Sequence, residues 1–105
     1  MVTMIEEIQN KIRQRQFEFS KHAVDQSILK HITRREIEEA IATGEVIDDY
    51  PTDKYGPSCL VFGVTSTSRP IHLQCPYPDN PKVKIITVYE PDPNKWTGFR
   101  VRRRE

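Results

Sequence analysis

The sequence predicts an α+β fold in which N-terminal helices pack on a C-terminal antiparallel sheet of about four strands. Apolar residues recur at helical spacing before Gly44 and alternate with polar residues after it. Short turns, rather than crossover helices, join the later segments, which favours antiparallel pairing. A length of 105 residues is typical of one domain. We therefore expect a single domain over residues 1–105, with a helical layer at 1–44 and a sheet and basic tail at 45–105.

Capping signals place the starts of the first and third helices. Thr3 precedes an amphipathic stretch predicted to be helical over residues 4–15, and Glu6 completes a capping box with it. Thr33 and Glu36 repeat this pattern before the apolar stripe of the third helix. Gly44 is predicted to end that helix in a left-handed conformation, which a residue without Cβ adopts at no steric cost.

The second helix is predicted over residues 21–31. Ser20 is its N-cap, because a hydroxyl there accepts a hydrogen bond from a first-turn amide. Helical spacing predicts that its inner stripe consists of Ala23, Val24, Ser27 and Ile28.

Alternating apolar residues predict the strands of the sheet. The predicted strands cover residues 45–50, 58–65, 70–75 and 83–90, and 96–102 forms a last short strand or drapes over the fold. Two cysteines, Cys59 and Cys75, fall on these strands and are predicted to be small buried hydrophobes rather than a disulfide framework.

Composition excludes several classes of protein. Hydrophobic residues make up 36% and charged residues 30%, which is too apolar for a disordered chain and too polar for a membrane protein. The N-terminus lacks the pattern of a signal peptide, so we expect a cytoplasmic location. Residues 1–50 hold seven Lys/Arg against ten Asp/Glu, a net charge of −3, and residues 51–105 hold nine against five, a net charge of +4.

Polar residues on two strands form the first candidate site. His72 and Gln74 alternate with apolar residues and should project from the face opposite the core. A similar alternation places Thr87 and Tyr89 on one face of the last long strand. Histidine exchanges protons near neutral pH, and tyrosine donates to phosphate or stacks on a base. An ordinary solvent-facing polar surface is the alternative interpretation.

The basic tail forms the second candidate site. Trp96 and Phe99 lie among basic residues that include Arg100, Arg102 and Arg104, an arrangement typical of single-stranded RNA binding. The alternative is that both rings cap the core and the arginines only keep the surface solvated. His72 and Cys75 are three residues apart and point to opposite faces of a strand, so no metal site is predicted.

Several stretches resemble a bacterial domain-of-unknown-function family that is grouped with the RelE/BrnT-like toxins, in an MqsR-like neighbourhood. The resemblance spans roughly residues 17–103. Its stretches are Phe19-Ser20-Lys21-His22-Ala23, residues 35–44, Tyr50-Pro51, Tyr55-Gly56-Pro57-Ser58-Cys59, Pro70-Ile71-His72 and Ile85-Ile86-Thr87-Val88-Tyr89.

The resemblance implies an endoribonuclease toxin that cleaves mRNA, often on the ribosome, without metal or cofactor. It also implies a small antitoxin protein, encoded nearby, that masks the site. His22, His72 and Tyr89 lie on the matching stretches and are the expected catalytic residues. We also expect Arg69 and Arg100 to be catalytic residues, on the basis of their charge and position. The predicted substrate-binding residues are Gln74, Lys84, Thr87 and Arg102.

Two other functions stay open. The second and third helices have the order of a helix-turn-helix, but Glu36, Glu38 and Glu39 on the third helix would repel DNA phosphates. A non-catalytic protein-interaction module, or an inactive toxin-like fold, is the stronger alternative to the ribonuclease.

Overall fold

Three short helices form one layer of the protein. The computed structural model describes residues 3–54 and 56–103; Tyr55 and Arg104, which the sequence analysis names, lie outside the described residues. The helices are α1 (Met4–Arg13), α2 (Lys21–Leu29) and α3 (Arg34–Ala42). Isoleucines from α1 and α3 and strand residues such as Val61 and Leu73 fill the core between the helices and the sheet.

The other layer is a four-stranded antiparallel sheet of order β2-β3-β4-β6, so the predicted α+β class is confirmed. A parallel pair, β1 with β5, lies beside it, and β7 and β8 form a separate hairpin. The strands are β1 (Phe17–Phe19), β2 (Glu45–Tyr50), β3 (Ser58–Val64), β4 (Pro70–Pro76), β5 (Val83–Ile85), β6 (Thr87–Tyr89), β7 (Trp96–Thr97) and β8 (Val101–Arg102).

The predicted helix starts are confirmed. The hydroxyls of Thr3, Ser20 and Thr33 each accept a hydrogen bond from a first-turn amide. The Thr33 capping box is complete, because the Glu36 carboxylate also accepts from the Thr33 amide at 2.9 Å. In the predicted capping box of α1, the Glu6 amide donates to the Thr3 hydroxyl, but the Glu6 carboxylate accepts from that hydroxyl rather than from the Thr3 amide. Among the described contacts, only one of the two capping-box bonds is therefore present.

The predicted inner stripe of α2 is wrong. Ala23 is fully buried, whereas Val24 and Ile28 are 41% and 68% exposed. The helix packs against β6, which is an edge strand of the sheet, so only a narrow stripe of its surface is covered. Its start is nevertheless fixed, since the Ser20 hydroxyl donates to the Ile86 carbonyl at 2.8 Å.

Gly44 is not a left-handed C-cap. The C-cap of α3 is Thr43, with a φ of −99°, and the described glycines with positive φ are Gly56 and Gly98. Close packing explains Gly44 instead, because a Cβ there would lie 2.7 Å from Cγ1 of Val61.

The predicted strand over residues 83–90 is broken at Ile86. Ile85 and Val88 are both fully buried, but they are three positions apart, so a regular strand would turn them to opposite faces. The irregularity at Ile86 shifts the alternation by one residue and lets both side chains reach the core. The chain then leaves β1 and joins β4, where the Ile86 amide donates to the Gln74 carbonyl at 2.9 Å.

The two cysteines match their prediction. Cys59 and Cys75 are directly opposite each other on β3 and β4, fully buried, and free thiols.

Helix α3 lies directly on β3, and Gly63 makes this possible. A Cβ at Gly63 would lie 1.7 Å from the carbonyl oxygen of Ala40 and 2.4 Å from its carbonyl carbon. We therefore expect Gly63→Ala to lower the free energy of unfolding by about 3 kcal/mol, because a helix backbone cannot move aside as a side chain can. Urea unfolding at pH 7 measures this loss.

The matched control is Gly56→Ala. Nothing lies within 4 Å of a Cβ at Gly56, but its φ of +97° strains any other residue. We expect a loss of about 1 kcal/mol from that strain. An equal loss in the two variants would show that α3 does not need the gap at Gly63.

Candidate functional site

The predicted polar residues do share one face of the sheet, which we call the outer face because the helices cover the other. His72 is directly opposite Tyr89, and Gln74 is directly opposite Thr87. The alternation of β4 and the shifted alternation of β6 thus bring all four side chains together.

A hairpin covers part of the outer face, so the interpretation of His72 as a solvent-facing residue is wrong. His72 has no exposed surface. The Trp96 ring from β7 meets its imidazole at right angles, with centroids 4.5 Å apart. Phe62, beside it on β3, contributes a second perpendicular ring at 5.7 Å. The alternative that the rings of Trp96 and Phe99 cap the core is not confirmed: Trp96 is buried, but against His72 on the outer face and outside the core cluster.

Both nitrogens of His72 are hydrogen bonded. Nε2 lies 2.6 Å from the carbonyl oxygen of Phe99, and Nδ1 lies 3.1 Å from the hydroxyl of Tyr89. A carbonyl oxygen only accepts hydrogen bonds, so Nε2 carries the proton and Nδ1 is the acceptor. The Tyr89 hydroxyl therefore donates to His72 and leaves its own oxygen lone pairs for another donor. We call this hydrogen-bonded set, Tyr89, His72 and the Phe99 carbonyl, the proton chain.

The surroundings keep the proton chain neutral. Burial lowers the pKa of His72, and the hydrogen bond to Phe99 opposes that shift in part. Burial also raises the pKa of Tyr89, against the effect of nearby Arg102. Tyr89 is only partly buried, whereas His72 has no exposed surface. Transfer of a proton to Tyr89 oxygen can then be matched by transfer of the tyrosine proton to Nδ1.

Polar side chains continue along the outer face away from the hairpin. Gln74 donates a hydrogen bond to the Ser58 hydroxyl of β3 at 3.0 Å. Tyr50 of β2 is in register with Ser58. Burial, followed by the charge of Asp48, raises the pKa of Tyr50 to about 12. These groups add hydrogen-bonding partners beside Thr87 without adding positive charge.

Two arginines flank the hairpin. Arg100 lies over the Phe62 ring and is paired with Glu45. Arg102 lies over Trp96, with 5.7 Å between its guanidinium carbon and the ring centroid. Both line a groove of about 400 Å³ at the edge of the hairpin. Of the two, Arg102 is the better placed to meet an anion, because the charge of Arg100 is already balanced by a carboxylate.

Arg69 does not join the outer face. Its guanidinium forms ion pairs with Glu36 at 3.1 Å and Glu90 at 2.7 Å. It also donates to the carbonyls of Lys30 and His31, at 2.8 and 2.9 Å. Arg69 therefore clamps the α2–α3 connection to the end of β6, and each of its three guanidinium nitrogens donates to at least one of these partners.

His22 and Lys84 lie at a separate cavity of about 420 Å³. Ser20, Pro76, Lys82 and Ile86 are among its other lining residues. The predicted catalytic pair of histidines is thus divided: His72 is buried under the hairpin, and His22 is exposed near the break between β5 and β6.

Metal-ligating side chains do not converge. Within residues 3–54 and 56–103, no three His, Cys, Asp or Glu side chains lie close enough together to hold a metal ion. The described residues include no helix of the length and apolar character needed to cross a membrane.

The sequence analysis did not include the Phe99 carbonyl in the site. A main-chain carbonyl has no sequence signature, and the left-handed φ of 61° at Phe99 is unusual for an aromatic residue. The one available signal was the spacing of Trp96 and Phe99 among arginines, which marked the segment but not its place in the fold.

The fold and the proton chain define a small α+β domain with a polar, partly covered sheet face. The chain belongs to the family described as Domain of unknown function (DUF4258), whose model matches residues 19–90. This confirms the predicted membership of a domain-of-unknown-function family; the grouping with RelE/BrnT-like toxins stays a prediction. No curated protein and no solved structure matches the chain.

The contacts of Arg69 predict a structural role. We expect Arg69→Met to lower the free energy of unfolding by about 2 kcal/mol, because two carboxylates and two carbonyls lose a charged donor. Arg35→Met is the matched control, since Arg35 is 88% exposed and pairs only along its own helix with Glu39. The free energy of unfolding of Arg35→Met should be lower than that of the wild type by less than about 0.5 kcal/mol. Equal unfolding midpoints in urea for the two variants would contradict the clamp.

The burial of His72 predicts a pH dependence of stability. The pKa of His72 is lowered in the folded protein, so the unfolded chain binds this proton first as the pH falls. The free energy of unfolding should therefore decrease below about pH 6.5, the usual pKa of histidine, until the folded imidazole also titrates.

Urea unfolding at pH 7.5 and pH 5.5 measures this effect. We expect the decrease toward pH 5.5 to be smaller in His72→Gln than in the wild type. His22→Gln, which changes an exposed histidine, should keep the wild-type decrease. An unchanged decrease in His72→Gln would show that His72 does not cause it.

Proposed function

We propose that this domain is a metal-independent endoribonuclease that cleaves single-stranded RNA at the outer face. The observation that carries the proposal is the proton chain, in which a buried neutral histidine accepts a hydrogen bond from a partly exposed tyrosine. Such a chain supplies a general base without a metal ion. The resemblance to RelE/BrnT-like toxins adds the substrate class, mRNA.

The proposed reaction begins at the ribose 2′-hydroxyl. Its proton passes to the Tyr89 oxygen while the tyrosine proton passes to Nδ1 of His72. The 2′-oxygen then forms a bond to phosphorus, and the bond between phosphorus and the 5′-oxygen breaks. The leaving oxygen takes a proton from a water molecule, and the hydroxide that remains takes the proton from Nδ1 of His72 through Tyr89, which restores the neutral proton chain. The products are a 2′,3′-cyclic phosphate and a 5′-hydroxyl, with no change in oxidation state.

The surrounding groups fit the other needs of this reaction. The Phe99 carbonyl at 2.6 Å from Nε2 stabilises the imidazolium that forms when His72 takes the proton. Arg102 supplies positive charge for the phosphate. Gln74 and Thr87 offer polar contacts to the neighbouring nucleotide along the face. Arg69 has no part in this step, because it lies away from the outer face and its charge is balanced by Glu36 and Glu90.

The proposal extends to the cellular role of a toxin. Cleavage of mRNA, on or off the ribosome, would arrest growth, and a small antitoxin protein encoded nearby would mask the outer face. Both statements rest on the resemblance. A short open reading frame adjacent to or overlapping the gene would support the pairing.

A protein-interaction module is the second candidate. Ile28 and Leu29 on α2 are 68% and 71% exposed, and Val24 is 41% exposed on the same helix. Exposed apolar side chains that cluster on one element are typical of contact surfaces. On this alternative the outer face has no catalytic role.

Tyr89→Phe distinguishes the two candidates. The variant keeps the ring and removes the hydroxyl that donates to His72. We expect the cleavage rate of a fluorescent single-stranded RNA, measured with EDTA present, to fall about 100-fold or more. RNA affinity should be retained. Tyr77→Phe is the matched control, because Tyr77 also carries a bonded hydroxyl but contacts Asp49 rather than the proton chain.

The products provide an independent readout. Mass spectrometry should find 2′,3′-cyclic phosphate ends with the wild type and with Tyr77→Phe. Cleavage by Tyr89→Phe at the wild-type rate would refute the proposed base. Folded wild-type protein that neither cleaves RNA nor arrests growth on induced expression would favour the interaction module.

A further inference from the structure

A basic cavity lies at the break between β5 and β6. Its volume is about 420 Å³, and its lining includes His22, Lys82 and Lys84. Two ammonium groups and an imidazole thus border one space large enough for a phosphate and part of a sugar. The cavity has no Asp or Glu among its lining residues in the described part of the chain.

The lysines of this cavity are not neutralised by ion pairs. Arginines elsewhere pair with carboxylates, as Arg69 does with Glu36 and Arg100 with Glu45. Lys82 and Lys84 form no ion pair within 4 Å among the described residues. Glu18 is in register with Lys84 across the β1–β5 pair, and it too stays beyond ion-pair distance. The positive charge of the cavity is therefore available to a ligand.

The walls of the cavity are held in place. The Ser20 hydroxyl accepts from the Ala23 amide at 3.0 Å and donates to the Ile86 carbonyl at 2.8 Å. The Ser20 amide donates to the Ile85 carbonyl at 2.9 Å. These bonds tie the start of α2 to the strand break, so the backbones that carry His22 and Lys84 are joined without a ligand. A preformed site loses less entropy when an anion binds.

The cavity also lies in line with the outer face. Pro76, which lines it, is four residues beyond His72 on β4, a distance of about 13 Å along the strand. Ile86, which also lines it, directly precedes Thr87 of the outer face. A single-stranded RNA that follows the outer face from Tyr89 past Thr87 would reach the cavity within a few nucleotides.

We infer that this cavity binds a backbone phosphate of the RNA, a few nucleotides away from the cleaved bond. The inference rests on the proposed function and deepens it, because it assigns a second subsite to the same substrate. Lys82 and Lys84 neutralise the phosphate, and the imidazole of His22 donates to one of its oxygens. His22 is then a binding residue and not the partner of His72 in proton transfer.

Charge variants test this subsite by RNA affinity. The probe is a fluorescein-labelled single-stranded RNA of ten nucleotides, and fluorescence anisotropy at several salt concentrations measures its binding. We expect Lys84→Gln to weaken binding about fivefold at low salt. We also expect the slope of the logarithm of the binding constant against the logarithm of the salt concentration to become less steep by about 0.7. This is the value for one phosphate contact with a single strand. Lys30→Gln, at the exposed C-cap of α2, is the matched control and should keep wild-type affinity.

Neutral backbone positions locate the contact. A series of RNAs carries one methylphosphonate each, at successive positions. We expect one of them to bind the wild type more weakly than the unmodified RNA does. Lys84→Gln should bind that RNA no more weakly than it binds the unmodified RNA. Glu18→Gln removes the carboxylate across from Lys84 and should strengthen binding.

The outcomes separate this inference from the proposed function. RNA that is bound and cleaved, with Lys84→Gln equal to Lys30→Gln, would refute the subsite and leave the ribonuclease proposal intact. Absence of RNA binding by the wild type would refute both. Binding of inorganic phosphate at Lys84 with no effect of any methylphosphonate would show a small-anion site instead, and would also refute the subsite.

Discussion

The backbone of α3 passes directly over β3, because Gly63 presents no side chain to Ala40. This contact sets the spacing between the helical layer and the sheet, and Gly44 at the end of the helix leaves the same room for Val61. The helices therefore cover the face that carries Val61 and Leu73, both of which are fully buried. Among the described residues, the apolar rings that cover the opposite face belong to the short hairpin β7–β8. The hairpin covers only part of that face. A sheet with one tightly packed face and one partly covered face is what leaves room for a site.

The break at Ile86 determines which residues that site contains. Ile85 and Val88 both reach the core only if the alternation shifts by one residue between them. The shift turns Thr87 and Tyr89 to the outer face, where His72 and Gln74 meet them. It also opens the corner where Ser20 docks on the Ile86 carbonyl. One irregularity of the backbone therefore generates both the proton chain and the basic cavity.

Local sequence signals predicted much of this fold. The caps at Ser20 and Thr33 depend on residues three apart, and the faces of β4 follow from alternation alone, so both could be read from the chain. Gly44 could not, since a close contact with Val61 is set by tertiary packing. The exposure of Ile28 depends on α2 lying at an edge strand, and the burial of His72 depends on a hairpin from the far end of the chain. The sequence thus predicted which residues share a face, but not what covers them.

The burial of His72 is itself an argument for a role beyond packing. Trp96, Phe62 and Tyr89 surround it, and an apolar ring in that place would fill the space without the cost of burying a polar group. A bond between Nε2 and the Phe99 carbonyl holds the hairpin on the sheet, and that accounts for one of the two nitrogens. It does not account for Nδ1, which fixes the direction of the Tyr89 hydroxyl at a partly exposed position. An oriented hydroxyl backed by a buried neutral base is what proton transfer needs. This second bond satisfies the buried Nδ1 and also connects the histidine to a partly exposed hydroxyl, and that connection is the feature on which proton transfer depends.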